Sequence, residues 1–262
     1  MDGVTGRAAF APNWPARFGA AGLVAYVIYA CSVLDVSLDR FLRGVPAGAR
    51  FLHRMFPPAW GARQLDLLWT GMVESLQIAV IATVVGVALS LPLGLLAARN
   101  LMPPWVSWTA RGVIALCRSF HPVITAILFV KAVGFGALAG VLALIVASMG
   151  FISKLFAEAI EEMSQKQVEG VRATGAGFWG VLTMGVLPQV MPRFIGFGAY
   201  QLDSNLRNST MVGLVGGGGI GAVLFTAYQR FDFDFVLTIL LAIIAVIMVG
   251  ELLSTQLRRL FH

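Results

Sequence analysis

Residues 168–192 read VEGVRATGAGFWGVLTMGVLPQVMP, with Glu169 and Arg172, five glycines and a closing Leu187-Pro188. On either side lie runs apolar enough for the interior of a bilayer. A half-polar segment between such runs is a water-facing connection of a membrane protein, and its punctuation sets its shape. The spacing predicts a short amphipathic helix and then a break at Gly175, where a positive φ meets no steric penalty. A second short helix is expected over residues 177–187, stopped before Pro188. A helix pair of this kind, parallel to the membrane, suits docking into a groove on another protein.

Composition supports the membrane setting. Hydrophobic residues make up 58% of the 262 and charged ones 12%, with a mean hydropathy of +0.83. Soluble domains carry about 25% charged residues, so this chain has roughly half the charge needed to coat a water-facing surface. The formal charge of +6 fits basic residues at cytoplasmic helix ends better than a nucleic-acid partner. Cys31 and Cys117 lack metal-ligand spacing and are expected to be buried thiols.

A hydrocarbon core of about 30 Å needs on the order of 20 helical residues. Six spans are expected: 18–34, 71–97, about 113–133, 136–156, 192 to about 214, and 235–253. Arg7 and Arg17 before the first also fit a signal peptide's basic region. Tyr29 is too bulky beside a cleavage site at Ala30-Cys31, so an uncleaved anchor is expected. The third span is interrupted by Arg118, Ser119, His121 and Lys131. Residues 35–66 form a polar connection with Arg40, Arg43, Arg50, Arg54 and Arg63, in which an amphipathic interfacial helix is expected.

An even number of spans places both termini on one side. Arg7, Arg17, Arg99, Arg111, Lys166, Arg172, Arg258 and Arg259 then share it, which makes it cytoplasmic. The arginines of residues 35–66 fall on the opposite side, against the rule. With this orientation the glycine-punctuated segment faces the cytoplasm.

At its own spacing that segment resembles the coupling motif of binding-protein-dependent ABC importer permeases: Glu-Ala-Ala, three residues, Gly, nine residues, Ile, one residue, Leu-Pro. Glu169, Gly175, Leu187 and Pro188 match. Gly170 and Val171 replace the alanines, and Gly185 replaces the isoleucine. Arg118-Ser119-Phe120-His121-Pro122 resembles the Arg-Ser-x-x-Pro start of a core helix in the same family. Asp203-x-x-x-Arg207 followed by residues 211–221, MVGLVGGGGIG, looks like the corresponding segment of the phosphonate/phosphite branch. Pro92-Leu93-Gly94, residues 97–100 (AARN) and the Leu257-Arg258-Arg259 ending add further matches, so the resemblance runs from about Gly71 to the C-terminus.

The resemblance implies an all-α integral membrane protein with a five-helix MetI-like core, one extra N-terminal helix and cytoplasmic coupling helices. Residues 1–70 would be anchor and polar connection; residues 71–262 would be the permease core, with its coupling loop at 165–190. It further implies a multi-pass protein of a bacterial inner membrane, working as a homodimer on two ATPase subunits. Substrate, a phosphorus oxyanion (phosphonate, phosphite or hypophosphite), would come from a periplasmic binding protein. No Gly-x-x-x-x-Gly-Lys-Ser/Thr loop occurs, so ATP and Mg²⁺ are expected on the partner ATPase, with no cofactor or metal on this chain. An ion-coupled secondary transporter is the alternative; it calls for an internal coupling site and repeat, and no convincing repeat is found.

Polar residues inside spans require a partner or a wet cavity. At helical spacing Tyr200, Asp203, Arg207, Thr210 and Leu214 share a face, widened by Ser204, Asn205, Asn208 and Ser209. Asp203 and Arg207, at i and i+4, can pair. Their strip is either an anion pathway, with Arg207 offering a forked donor, or a structural ion pair that helps a polar helix pack. Arg118 and His121, on a common face with Ser119 nearby, are further pathway candidates. Against this, Arg118 is expected near the cytoplasmic end, snorkelling to headgroups, and His121 could cap carbonyls freed by Pro122. Gly216, Gly217, Gly218, Gly219 and Gly221 allow three readings: backbone N–H groups for an oxyanion, a gate hinge, or close helix packing. The Gly-x-Gly-x-x-Gly pattern within them lacks the βαβ setting of a dinucleotide site.

Overall fold

The computed structural model describes residues 14–34 and 36–260, the last nine as backbone only. Arg7 therefore lies outside the described residues. The described part is helical, with no strand. Two compact units divide at Arg54/Met55.

The first unit holds α1 (Trp14–Val33) and α2 (Leu38–Arg54), neither with a buried residue. Helix α1 is long and apolar enough to span a bilayer. Helix α2 is the amphipathic helix expected of the polar connection.

The second unit is built on α3 (Ala62–Ala97) and α6 (Ala137–Glu161), which meet along small residues. A Cβ at Gly86 would come within 2.6 Å of Ser148 Cβ, and one at Gly94 within 2.8 Å of the Phe156 ring. In lipid, helices gain little from burying apolar surface against each other, so such close backbone approach is what holds them. Helix α9 (Leu187–Leu214) packs on both. Helices α10 (Gly219–Gln229) and α11 (Phe233–Leu260) complete this side of the bundle around Ile220, Phe235 and Ile239.

Two sequence expectations are corrected here. The third span is not one helix: α4 (Pro104–Ser119) and α5 (Pro122–Val133) meet at 89°. Pro122 drives His121 into extended geometry (φ −65°, ψ 143°), and Phe120 is extended as well (φ −109°, ψ 136°). Among the described residues there are thus five helical segments fit to span, or six if this bent pair counts as one.

Likewise Pro188 does not stop a helix. After α7 (Gln165–Ala173) and a single turn α8 (Phe178–Gly180), the chain winds through a π-helical stretch, Val181–Val186, straight into α9. The wider winding lets Leu187 N–H reach Leu182 O. Pro188 then sits in the first turn of α9, where a missing N–H removes no helical bond. The helix expected to begin at Pro192 therefore begins at Leu187.

Candidate functional site

Helix α7 turns Val168 inward, 1% exposed, into a cluster with Ile160, Val181, Leu182 and Val186. Its other side presents Glu169, Gly170 and Arg172 to solvent. The helix ends as Thr174 N–H and Gly175 N–H fold back to Val171 O (3.3 Å) and Arg172 O (3.0 Å). Gly175 has φ +81°, and a Cβ there would meet nothing within 4 Å. The break expected at Gly175 is present, and glycine is needed for its φ, not for room inside this chain.

Beyond the turn, Phe178 and Trp179 stand exposed, edge to face at 5.5 Å. A cavity of about 210 Å³ beside them is lined by Leu101, Arg172, Ala176, Phe178, Val181 and Leu182. The tip thus offers a charged helix face, an open turn and two aromatic rings. Of the four motif residues, Glu169 and Gly175 lie on this exposed tip. Leu187 is half-buried against the core and Pro188 opens α9.

The support behind the tip was not singled out from sequence. Glu161, the last residue of α6, accepts from Arg99 N–H (2.7 Å) and from Arg111 Nη2 (2.6 Å) with a single oxygen. Arg111 Nε and Ser107 Oγ both donate to Ala97 O, the last carbonyl of α3, at 3.0 and 2.7 Å. Asn100 Nδ2 donates to Ile160 O (2.8 Å). The next residue, Glu162, pairs instead with Arg193 of α9 at 3.1 Å. Two consecutive glutamates therefore tie the end of α6 to α3 and α4 on one side and to α9 on the other. Gln189 adds bonds to Gly185 O (2.6 Å) and Ser164 O (3.4 Å). The available signal is a Glu-Glu pair at the end of an apolar span, opposite Arg99 and Arg111, two arginines that the sequence reading uses for orientation and, for Arg99, for the family resemblance.

Half-way along the bundle, α9 carries the expected polar strip, divided into two environments. Asn205 is wholly buried and donates to Thr83 Oγ1 and Ser148 Oγ, both at 2.9 Å; Gln201 donates to Ser148 Oγ and Asn205 Oδ1, both at 3.0 Å. This network fastens α9 to α3 and α6. Ser209, also buried, donates to Leu206 O at 2.8 Å. Thr210 is half-buried, its carbonyl pressed on Gly221.

Asp203 and Arg207 form the expected pair at 2.8 Å; the carboxylate side chain is 9% exposed and the guanidinium 44%. Asp203 borders an apolar cavity of about 670 Å³ between α3, α9 and α11. The charge that reaches open space is therefore Arg207.

Arg118, Ser119 and His121 are exposed but do not share a helix face, because the bend falls between them. Helix α4 starts at the Ala97–Glu161 junction and runs away from it. Arg118 consequently lies against Gly150, near the middle of α6, with Cγ 2.9 Å from where a Cβ would be. Its stem therefore packs half-way along α6, away from the junction at which α4 begins. Ser119 Oγ donates to Ala115 O (2.8 Å), and His121 Nδ1 accepts from Val123 N–H (3.4 Å). The imidazole caps the donors of α5, not carbonyls. Nearby Cys117 and, in α1, Cys31 are half-buried rather than buried.

At the far end of α9 the glycine run is tightly packed. Gly216, Gly218 and Gly219 have φ of +98°, +80° and +71°. A Cβ at Gly221 would overlap the Thr210 carbonyl, one at Gly217 the Val212 side chain, and one at Gly219 the Ser75 hydroxyl. Gly218 faces Ala137 and Glu74, and Gly216 lies under the Phe135 ring. Several backbone donors are committed: Gly216 N–H to Gly213 O (3.1 Å), Gly217 N–H to Val212 O (3.0 Å) and Ile220 N–H to Ser75 Oγ (2.9 Å). A Cβ would meet a close neighbour at each of the five glycines, and three of them also hold a positive φ.

Residues 90–262 match the family of binding-protein-dependent transport system inner membrane components. Among curated proteins, the chain is 39% identical, over 93% of its length, to the phosphate-import permease protein PhnE of Mycolicibacterium smegmatis, of which it spans 46%. It is 37% identical over 96% of its length to the phosphite transport system permease protein PtxC of Stutzerimonas stutzeri, of which it spans 92%. Among solved structures, an inward-facing form of the MetNI methionine ABC transporter superposes with a TM-score of 0.69 at 21% identity, covering 78% of this chain and all of the matched one. At that identity the likeness speaks for the fold.

Proposed function

The chain belongs to the binding-protein-dependent transport system inner membrane components, and from that premise we propose that it is the permease subunit of an ATP-driven importer of a phosphorus oxyanion. The observation that carries the coupling part is the α7–Gly175 tip: exposed, aromatic, and backed by the end of α6, which Glu161 and Glu162 tie to three helices. A tip so held transmits a push instead of yielding to it, because packed helix ends move as units. The partner that pushes is a separate ATPase, which binds ATP and Mg²⁺. Two copies of this chain, each with one tip, serve two ATPase subunits, and a binding protein delivers substrate on the opposite side. Both chain termini would then be cytoplasmic.

The phosphite and phosphate importers named among the relatives support the substrate class. Arg207 supports it chemically: its forked guanidinium, held by Asp203 and partly exposed, suits phosphoryl oxygens. Choice among phosphonate, phosphite, hypophosphite and phosphate is left to the binding protein.

Uptake of radiolabelled phosphite, methylphosphonate and phosphate into vesicles containing the whole complex tests this. Uptake should cease without ATP and persist when ionophores collapse the ion gradients. Uptake that follows the gradients and ignores ATP would assign the chain to ion-coupled transport instead.

A further inference from the structure

Helix α2 lies outside the elements described for the candidate site, and its two sides differ sharply. At about 100° per residue, Leu38, Phe41, Leu42, Val45 and Leu52 fall within an arc of about 100°. Arg40, Arg43, Arg50 and Arg54 fall within an arc of about 80°, centred on the opposite side. All five apolar side chains are more than half exposed. Four arginines face one acidic residue in the helix, Asp39, which pairs with Arg43 along it.

Its place in the chain fixes where it can go. Helix α1, fit to span a bilayer, ends at Val33. The four residues before Leu38 reach no more than roughly 15 Å. After the seven residues 55–61 that follow Arg54, α3 begins at Ala62, and it is also fit to span. Exposed Trp60 lies in that short link, an aromatic type that favours headgroup level. A helix tethered at both ends to spanning segments stays at the membrane surface.

We infer that α2 lies flat in the interface of an anionic phospholipid leaflet, its apolar arc among the upper acyl chains and its arginines on lipid phosphates. An acidic soluble partner would satisfy the arginine strip but leave the apolar arc in water. A lipid of no net charge would cover the arc but leave the excess positive charge of the strip, four arginines to one acidic residue in the helix, unbalanced. Only a surface that is apolar beneath and anionic at headgroup level answers both arcs. The placement also accounts for arginines on the side that the orientation rule leaves poor in them.

The test uses the full chain with Cys31→Ser and Cys117→Ser, reconstituted in nanodiscs. A nitroxide is attached at Val45→Cys on the apolar arc or at Ala47→Cys on the basic one. In discs containing phosphatidylglycerol, the label at 45 should be relaxed by oxygen and shielded from a water-soluble nickel chelate, and the label at 47 the reverse. Replacing phosphatidylglycerol by phosphatidylcholine, with no change in the protein, should raise nickel access at 45. Arg43→Gln with Arg50→Gln should lower the ratio of immersed to free helix on the order of tenfold. A label at 45 that nickel reaches freely in anionic discs would overturn the inference. So would one shielded from both reagents, which marks a protein neighbour. Immersion indifferent to lipid charge would overturn the requirement for an anionic leaflet. So would an arginine variant that stays immersed but loses binding-protein stimulation of the ATPase, which assigns the strip to that protein.

Discussion

The two glycine-rich turns of this chain stand at opposite ends of α9 and use the same residue for different reasons. At Gly175 the backbone needs φ +81° and the space around the absent Cβ is empty. At Gly216, Gly218 and Gly219 positive φ values and overlap with neighbours occur together, and Gly217 and Gly221 are held by overlap alone. One turn is conformational, with a free surface left for something outside the chain. The other is a packing joint whose space is already taken. A glycine's contribution therefore follows from what surrounds it, and substitutions at the two turns should separate stability from activity.

The largest effect is expected at the packed turn. Gly221→Ala places a methyl on the Thr210 carbonyl and beside Gly213, backbone that cannot swing aside. Overpacking of this kind costs about 3 kcal/mol or more. Detergent-solubilised protein should lose its monodisperse peak on fluorescence-detected size exclusion. A mutant as stable as wild type would break the contrast between the turns.

Next is Glu161→Gln, behind the coupling turn. The amide keeps an acceptor for Arg99 N–H but loses its charge-assisted bond to Arg111. The pair is about a quarter exposed, so roughly 1–2 kcal/mol is expected, less than for a fully buried charge. Thermal unfolding should shift down modestly, while uptake per ATP hydrolysed falls further than stability does. Equal losses would make the junction a brace only.

In the pathway, Arg207→Ala strands the Asp203 carboxylate, whereas Asp203→Asn with Arg207→Gln removes both charges. The double variant should recover stability to within about 1 kcal/mol of wild type yet remain poor in uptake. Full uptake in the double variant would leave the pair as a packing device. The smallest effect is expected at Gly170, within α7 and open on all sides. Gly170→Ala should stabilise the chain by up to about 1 kcal/mol and leave uptake unchanged.

Much of this architecture was legible in the sequence because its signals are local. Apolar run length marked most spans, Gly175 marked a break, and i, i+4 spacing joined Asp203 to Arg207. What went unread depends on distant partners. His121-Pro122 carried the signal for a break, but the hydropathy of residues 113–133 reads as continuous, and the 89° bend exists because α6 supports both halves. Pro188 reads as a stop unless a π-helical stretch precedes it, and winding leaves no mark on composition. Asn205 shares a strip with Arg207 on paper. Only the approach of Thr83 and Ser148, from helices 122 and 57 residues away in sequence, turns it inward. Arg111 and Glu161, 50 residues apart, reveal their junction only when α3, α4 and α6 converge.

The central claim is that the Gly175 turn meets an ATPase, and Gly175→Trp tests it most directly. The turn has room for a large side chain within this chain, at the expense of about 1–2 kcal/mol of positive-φ strain. The mutant is purified from cells that also express the ATPase, and the bound ATPase is measured against wild type by quantitative immunoblot. The account predicts a chain that inserts and unfolds near the wild-type temperature, yet retains little ATPase and transports nothing. A Gly175→Trp chain that carries its full complement of ATPase and takes up substrate at the wild-type rate would contradict it.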